Sequence, residues 1–210
     1  FLALLTKKIK RKLKTGVISC KNMYLSRPSE EKFLLETRHY INKLFKKYVN
    51  KHNIQTLILD QSISISNIST GIRYFENIKC IVVDRDPRDI YVDLINHKAL
   101  IGLECIGGDR ESTIKYIQWH KILRKNQDEL NLMEKDNKVL NLRFEDIIIN
   151  PDSVVEKINS FLNIDMTKNE FVNYFDPNIS KKNIGLWKTY VHQDEIDFIY
   201  KELKEYCYEN

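Results

Sequence analysis

The sequence has no paired cysteines. Its four, Cys20, Cys80, Cys105 and Cys207, lie far apart and form no Cys-x-x-Cys pair. Such usage argues against a disulfide framework and points to a reducing, cytoplasmic compartment. It also leaves no zinc-finger spacing, and no metal is expected. Apolar runs stay well short of the roughly 18 residues a membrane-spanning helix takes. The Gly107-Gly108 pair sits in a loop without the Gly-x-x-x-x-Gly-Lys-Ser/Thr pattern of a Walker cradle. Alternating aromatic and basic residues, the mark of a single-strand binder, are absent, and so is a long basic arm. No nucleic-acid partner is expected. What is present is a chain of 210 residues, enough for a single domain with a sizeable core, carrying a net charge of +5. This mild basicity suits an anionic ligand.

The stretch from Lys79 to Tyr91 organises the rest. Cys80 to Val83 is a short apolar, β-branched run with the composition of a fully buried strand. It breaks into charge at Asp84, Arg85 and Asp86. Pro87 has no N–H and a fixed φ, so it belongs in the turn or the first helical turn, and Asp89 then falls where a helix dipole favours a carboxylate. Strand, sharp turn and helix put Arg85 at the strand's carboxyl end. That edge is where open α/β sheets bind ligands, and a guanidinium fork there is an anion receptor. A plain Arg–Asp salt bridge bracing the turn is the competing reading.

Before this stretch, Phe1–Lys14 reads as a basic amphipathic helix, a surface helix or a peripheral contact for an anionic membrane. Val17–Arg27 reads as a loop. Ser29 caps a helix that opens with Glu30 and Glu31 and ends around Asn50–Asn53. Thr56–Asp60 reads as a strand parallel to the Cys80 strand, with Asp60 at the ligand edge. Residues 67–77 hold a short helix. After a loop over Gly102–Arg110, a long helix runs from Ser112 to about Glu134 and carries Trp119 and His120. A strand from Lys138 alternates and ends in Glu145-Asp146. Beyond Asn150-Pro151 a helix, capped by Asp152, runs to Leu162, and a terminal helix covers Asp194–Tyr208.

The apolar strand running into Arg85-x-Pro87-x-Asp89 resembles the 3′-phosphate motif of sulfotransferases that use PAPS (3′-phosphoadenosine 5′-phosphosulfate). Two further segments resemble the same family in the same order. One is the strand ending Phe144-Glu-Asp, followed by an Asn-Pro turn and a helix closing in Phe161-Leu162. The other is Gly185-Leu-Trp187-Lys188, like the family's loop over the nucleotide. The resemblance implies a P-loop NTPase-like three-layer α/β sandwich with a central, mostly parallel sheet. It implies PAPS as sulfate donor, 3′,5′-ADP (adenosine 3′,5′-bisphosphate) as product and a hydroxyl-bearing acceptor. The Leu59-Asp-Gln61 segment and the doubled Arg85-Asp-Pro-Arg-Asp89 are closest to bacterial-type enzymes acting on carbohydrates. By the same resemblance Arg85 holds the 3′-phosphate and Phe144 stacks near the adenine. Lys181, Lys182, Gly185, Trp187 and Lys188 form the closing loop. Asp93 stands where the family carries a phosphate-binding Ser. Asp60 leads the candidates for the base, ahead of His120, His97 and Glu104. The loop that cradles the 5′-phosphosulfate is not found after Phe1 and is expected upstream. Two alternatives stay open: a non-catalytic module that binds a nucleotide or anionic glycan, and a P-loop kinase.

Overall fold

A computed structural model describes residues 17–20, 23–26, 29–54, 56–101, 104–105, 109–164 and 176–209. The basic stretch Phe1–Lys14 lies outside the described residues. Contacts cluster into two compact units: Phe1–Ser62 with Thr70–Asn77, and Ile63–Ser69 with Ile78–Asn210.

In the first unit, β1 (Val17–Cys20) pairs antiparallel with β2 (Met23–Ser26), from Val17↔Ser26 to Cys20↔Met23. A loop was expected here. The β-branched and aromatic residues Val17, Ile18 and Tyr24 favour the extended ladder instead. Helix α1 (Glu30–His52) begins and ends where its capping residues dictate. Ser29 is extended and accepts from the Lys32 N–H at 3.2 Å, and Asn53 closes the helix in the left-handed region at φ 51°. Its buried residue is Leu34. Phe33 meets Tyr74 edge-on, Phe45 stacks on Phe75, and Glu30 pairs with Arg73 at 2.8 Å. The strand expected over Thr56–Asp60 does not form: residues 56–59 have no regular structure and Asp60 opens an exposed turn. An apolar run becomes a strand only where a ladder partner takes its N–H and C=O groups, and this one pairs with no strand among the described residues.

Short helical turns follow: Ile65–Asn67 (3-10), α2 (Ile68–Gly71) and Ile72–Tyr74 (3-10). The second unit is built on β3 (Cys80–Asp84), then α3 (Pro87–Asn96), β4 (Leu100–Ile101) and β5 (Glu104–Cys105). It continues with α4 (Arg110–Leu123), α5 (Gln127–Lys135), β6 (Val139–Arg143), α6 (Phe144–Ile149) and α7 (Pro151–Leu162). After α8 (Pro177–Lys181) come a 3-10 turn (Leu186–Thr189), α9 (Gln193–Leu203) and a last 3-10 turn (Lys204–Tyr206). The chain is thus mixed α/β and mostly helical. The expected parallel sheet appears among the described residues as one pair, β3 beside β6, in register from Cys80↔Val139 to Asp84↔Arg143. β3 is not buried on both faces. Val82 is enclosed, while Ile81 and Val83 are 38% and 52% exposed.

Several boundaries differ from the sequence reading. The helix expected to start at Ser112 is capped earlier by Asp109, which accepts the Ser112 N–H at 2.7 Å. It also breaks at Arg124–Asn126, where Arg124 forks onto Asp84 and the Asn126 amide donates to the Ser66 carbonyl at 2.7 Å. Those contacts replace the next turn of helix. The strand from Val139 stops at Arg143, because Phe144 starts α6 at once. α7 has Pro151 in its first turn, with Asn150 rather than Asp152 at the cap position. The core lies where α3, α4 and α9 meet. Tyr91, Val92, Tyr116, Ile117, Ile196, Ile199 and Leu203 interlock there, each large side chain worth about 1.5–3 kcal/mol on burial. Inside it the Tyr91 hydroxyl donates to Glu195 at 2.8 Å, and Tyr116 donates to the Pro87 carbonyl at 2.6 Å. Among the described residues no helix is long and apolar enough to cross a membrane.

Candidate functional site

The turn between β3 and α3 is held from three sides. Asp86 is the N-cap of α3 and is buried; its carboxylate accepts the Arg88 N–H at 2.8 Å and the Arg88 guanidinium at 2.6 Å. The same carboxylate accepts the Tyr208 N–H at 3.0 Å. The Asp86 N–H donates to Glu145 Oε1 at 2.6 Å, tying the turn to the start of α6. Burial pushes the Glu145 carboxyl up, against the opposing pull of that N–H. Arg88, buried like its partner, lays its guanidinium 4.0 Å from the Trp187 ring centre and donates to the Tyr208 carbonyl at 3.2 Å.

Arg85 leaves the carboxyl end of β3 and meets a different set of partners. Its Nη1 donates to Asp93 Oδ2 at 3.0 Å and its Nη2 to the Asn183 carbonyl at 2.8 Å. The guanidinium carbon lies 5.2 Å from the centre of the Phe144 ring. Nε is buried without a hydrogen-bond partner among the described residues. Asp93 is shared, since its Oδ1 lies 3.1 Å from His97 Nδ1 one helical turn on.

Asp89 joins two segments a hundred residues apart. Its carboxylate accepts the Gly185 N–H at 2.8 Å and the Trp187 N–H at 3.1 Å. Burial pushes its carboxyl up; the two N–H groups pull the other way. Gly185 has φ +78°, a left-handed conformation that any side chain would strain, and this lets its N–H turn toward Asp89. Lys188 folds back with its Nζ 5.6 Å from the Trp187 ring centre, while Lys181 and Lys182 are exposed at the end of α8. The side chains combine a guanidinium, an aromatic face and a lysine-bearing loop, the chemistry of a receptor for an anionic, ring-containing ligand.

The structure therefore brings together Arg85, Asp93 and Phe144, and ties Gly185 and Trp187 to the same helix. Of the candidate bases, His97 lies beside Asp93 at the end of α3. Asp60 is exposed in the first unit. Glu104 lies in β5. His120 is 2% exposed between Tyr116 and Tyr206, with neither ring nitrogen hydrogen-bonded among the described residues. Burial first, then the neighbouring Arg124, pushes its pKa down to about 4. Such enclosure suits a core histidine, not a group that meets an acceptor. Sequence reasoning missed the roles of Asp86, Arg88 and Asn183. Only Asp86 carried a local signal, an Asp just before a Pro at the helix start. An open depression of about 570 Å³ is lined by Glu134, Val139, Ser153, Lys157 and Phe161, among others. It lies at the amino end of β6, opposite to the edge where Arg85 stands.

A family model described as the sulfotransferase domain matches residues 35–183, more than half of the chain. No curated protein and no solved structure matches the chain.

Proposed function

Because the chain belongs to the sulfotransferase domain family, we propose that it moves a sulfuryl group from PAPS to a hydroxyl of a carbohydrate acceptor. The observation that carries this reading is the convergence of Arg85, Phe144 and the Asn183 carbonyl at the carboxyl ends of β3 and β6. A largely buried guanidinium set beside an aromatic ring fits a phosphate next to a base. In this reading Arg85 takes the 3′-phosphate and Phe144 the face of the adenine. Lys181, Lys182 and Lys188 add point charges, and Asp89 holds the Gly185–Trp187 backbone in place over the nucleotide. When bound, PAPS supplies the sulfuryl group and departs as 3′,5′-ADP.

The chain's contribution is placement and charge, as in phosphoryl transfer. The acceptor oxygen bonds to sulfur, the bond from sulfur to the donor's bridging oxygen breaks, and the acceptor proton goes to a base. Asp60 is the proposed base; its carboxylate is exposed, whereas His120 is enclosed. Support for a carbohydrate acceptor is the likeness of Leu59-Asp-Gln61 and the doubled Arg-Asp of the β3 turn to carbohydrate-directed members.

The test is calorimetric titration of 3′,5′-ADP against the full-length protein and Arg85→Ala, with 5′-AMP as control. The expected result is selective binding of the bisphosphate that the variant loses. A folded full-length protein that binds neither nucleotide overturns the reading. Bisphosphate binding without sulfuryl transfer to any sugar acceptor leaves a nucleotide-binding module.

A further inference from the structure

Arg85 is already engaged by its own chain. One N–H of Nη1 goes to Asp93 and one of Nη2 to the Asn183 carbonyl, and Phe144 lies alongside the guanidinium. The Arg85 side chain is only 17% exposed, so a ligand has a narrow approach to it. A phosphate seated on the fork would put its oxygens within a few ångströms of the Asp93 carboxylate, where like charges oppose each other. The pair Arg85–Asp93 sums to no net charge, so the fork as it stands has little attraction for a dianion. Asp93 is not locked in. Its side chain is 36% exposed at the surface of α3, and its second oxygen already faces His97 at 3.1 Å. Swung away from Arg85, the carboxylate has solvent and the neighbouring His97 to turn to.

We infer that Asp93 is an internal competitor for Arg85, which a ribose 3′-phosphate displaces on binding, and that this exchange sets the nucleotide selectivity of the site. The inference rests on the reading of Arg85 as the 3′-phosphate group. Binding is then a swap of one anion for another rather than the filling of an empty receptor. The swap weakens the hold on the bisphosphate and eases its release. A nucleotide without a 3′-phosphate leaves the Arg85–Asp93 pair intact and is indifferent to it.

The test compares Asp93→Asn and Asp93→Ser with the full-length wild-type protein. Each is titrated with 3′,5′-ADP and with 5′-AMP, and folding is checked by circular dichroism. Both variants should bind 3′,5′-ADP about tenfold more tightly, the scale of one partly exposed charge interaction. Their affinity for 5′-AMP should stay within about threefold. Arg85-dependent binding of 3′,5′-ADP by the wild type with no tightening in either folded variant overturns the inference and leaves the site reading standing. An equal gain for 5′-AMP overturns it too, because the effect would then not belong to the 3′-phosphate. Absence of Arg85-dependent binding in every protein removes the site reading itself, and the inference with it.

Discussion

His120 shows how a single enclosed group couples this fold to acid. Its pKa, held near 4 by burial, lies below the ordinary 6.5. The unfolded chain therefore takes up the proton first as pH falls. The neutral ring's contribution is fully present above about pH 6.5 and is lost as pH drops toward 4, a swing of about 3 kcal/mol. Asp89 and Glu145, whose carboxyls burial pushes up, work in the opposite sense. Comparison with His120→Leu cancels their effect. The stability of the wild type relative to that variant, read from urea melts, should fall by about 2–3 kcal/mol between pH 7 and pH 4. A constant difference would refute the assignment. For the proposed base, Asp60→Asn should lower sulfuryl transfer about a hundredfold or more, with 3′,5′-ADP affinity unchanged. Arg88 marks the limit of what residues disclose one at a time. In sequence it is one of 34 Lys and Arg residues. Its burial comes from Trp187 and Tyr208, about a hundred residues away, and no local pattern signals them. Arg88→Lys keeps the charge but loses the fork onto Asp86. The expected loss is about 2 kcal/mol or more in thermal or urea unfolding.

At the scale of elements, the decisive link is between α3 and the loop that follows α8. Asp89→Ala removes the acceptor for two backbone N–H groups. The folded protein should lose about 2–4 kcal/mol, and limited proteolysis should begin within residues 183–188 before the rest of the chain is cut. Gly185→Ala should be milder, about 1 kcal/mol, because the added methyl has room beside Lys188 and the strain lies in φ alone. Both variants should weaken 3′,5′-ADP binding. Elements with strong local signals were legible in the sequence: α1 with Ser29 and Glu30-Glu31, the strand–Pro87–helix turn, and the core of β6. The errors have a shared origin. Thr56–Asp60 has a strand's composition but no ladder partner among the described residues. The helix carrying His120 breaks because Arg124 and Asn126 find tertiary partners. β6 ends at Arg143 because α6 begins there. In each case a distant contact decides against local propensity.

For the whole molecule, stability should be uneven. Of the buried apolar side chains among the described residues, Leu34 and Ile72 belong to the first unit, whereas the second has the interlocked cluster around Tyr91 and Ile199. Amides of α1 should accordingly exchange through lower-energy openings than those of α4 and α9, a contrast that hydrogen exchange read by mass spectrometry would show. Equal protection in the two sets would contradict it. The candidate site was legible further than the fold. Arg85, Phe144, Gly185 and Trp187 could be named from short motifs, while the Asn183 contact emerged only from chain folding. The register of β3 on β6 carries a last consequence, for how this segment can change over time. Removing one residue between Cys80 and Asp84 would turn every later side chain to the opposite face, exchanging Val82 for an exposed position and aiming Arg85 away from Phe144. Removing two would restore the facing but pull Arg85 back by about 6–7 Å, past the reach of Asn183. Descendants of this chain can therefore reword the strand, but an insertion or deletion inside it would cost them the site.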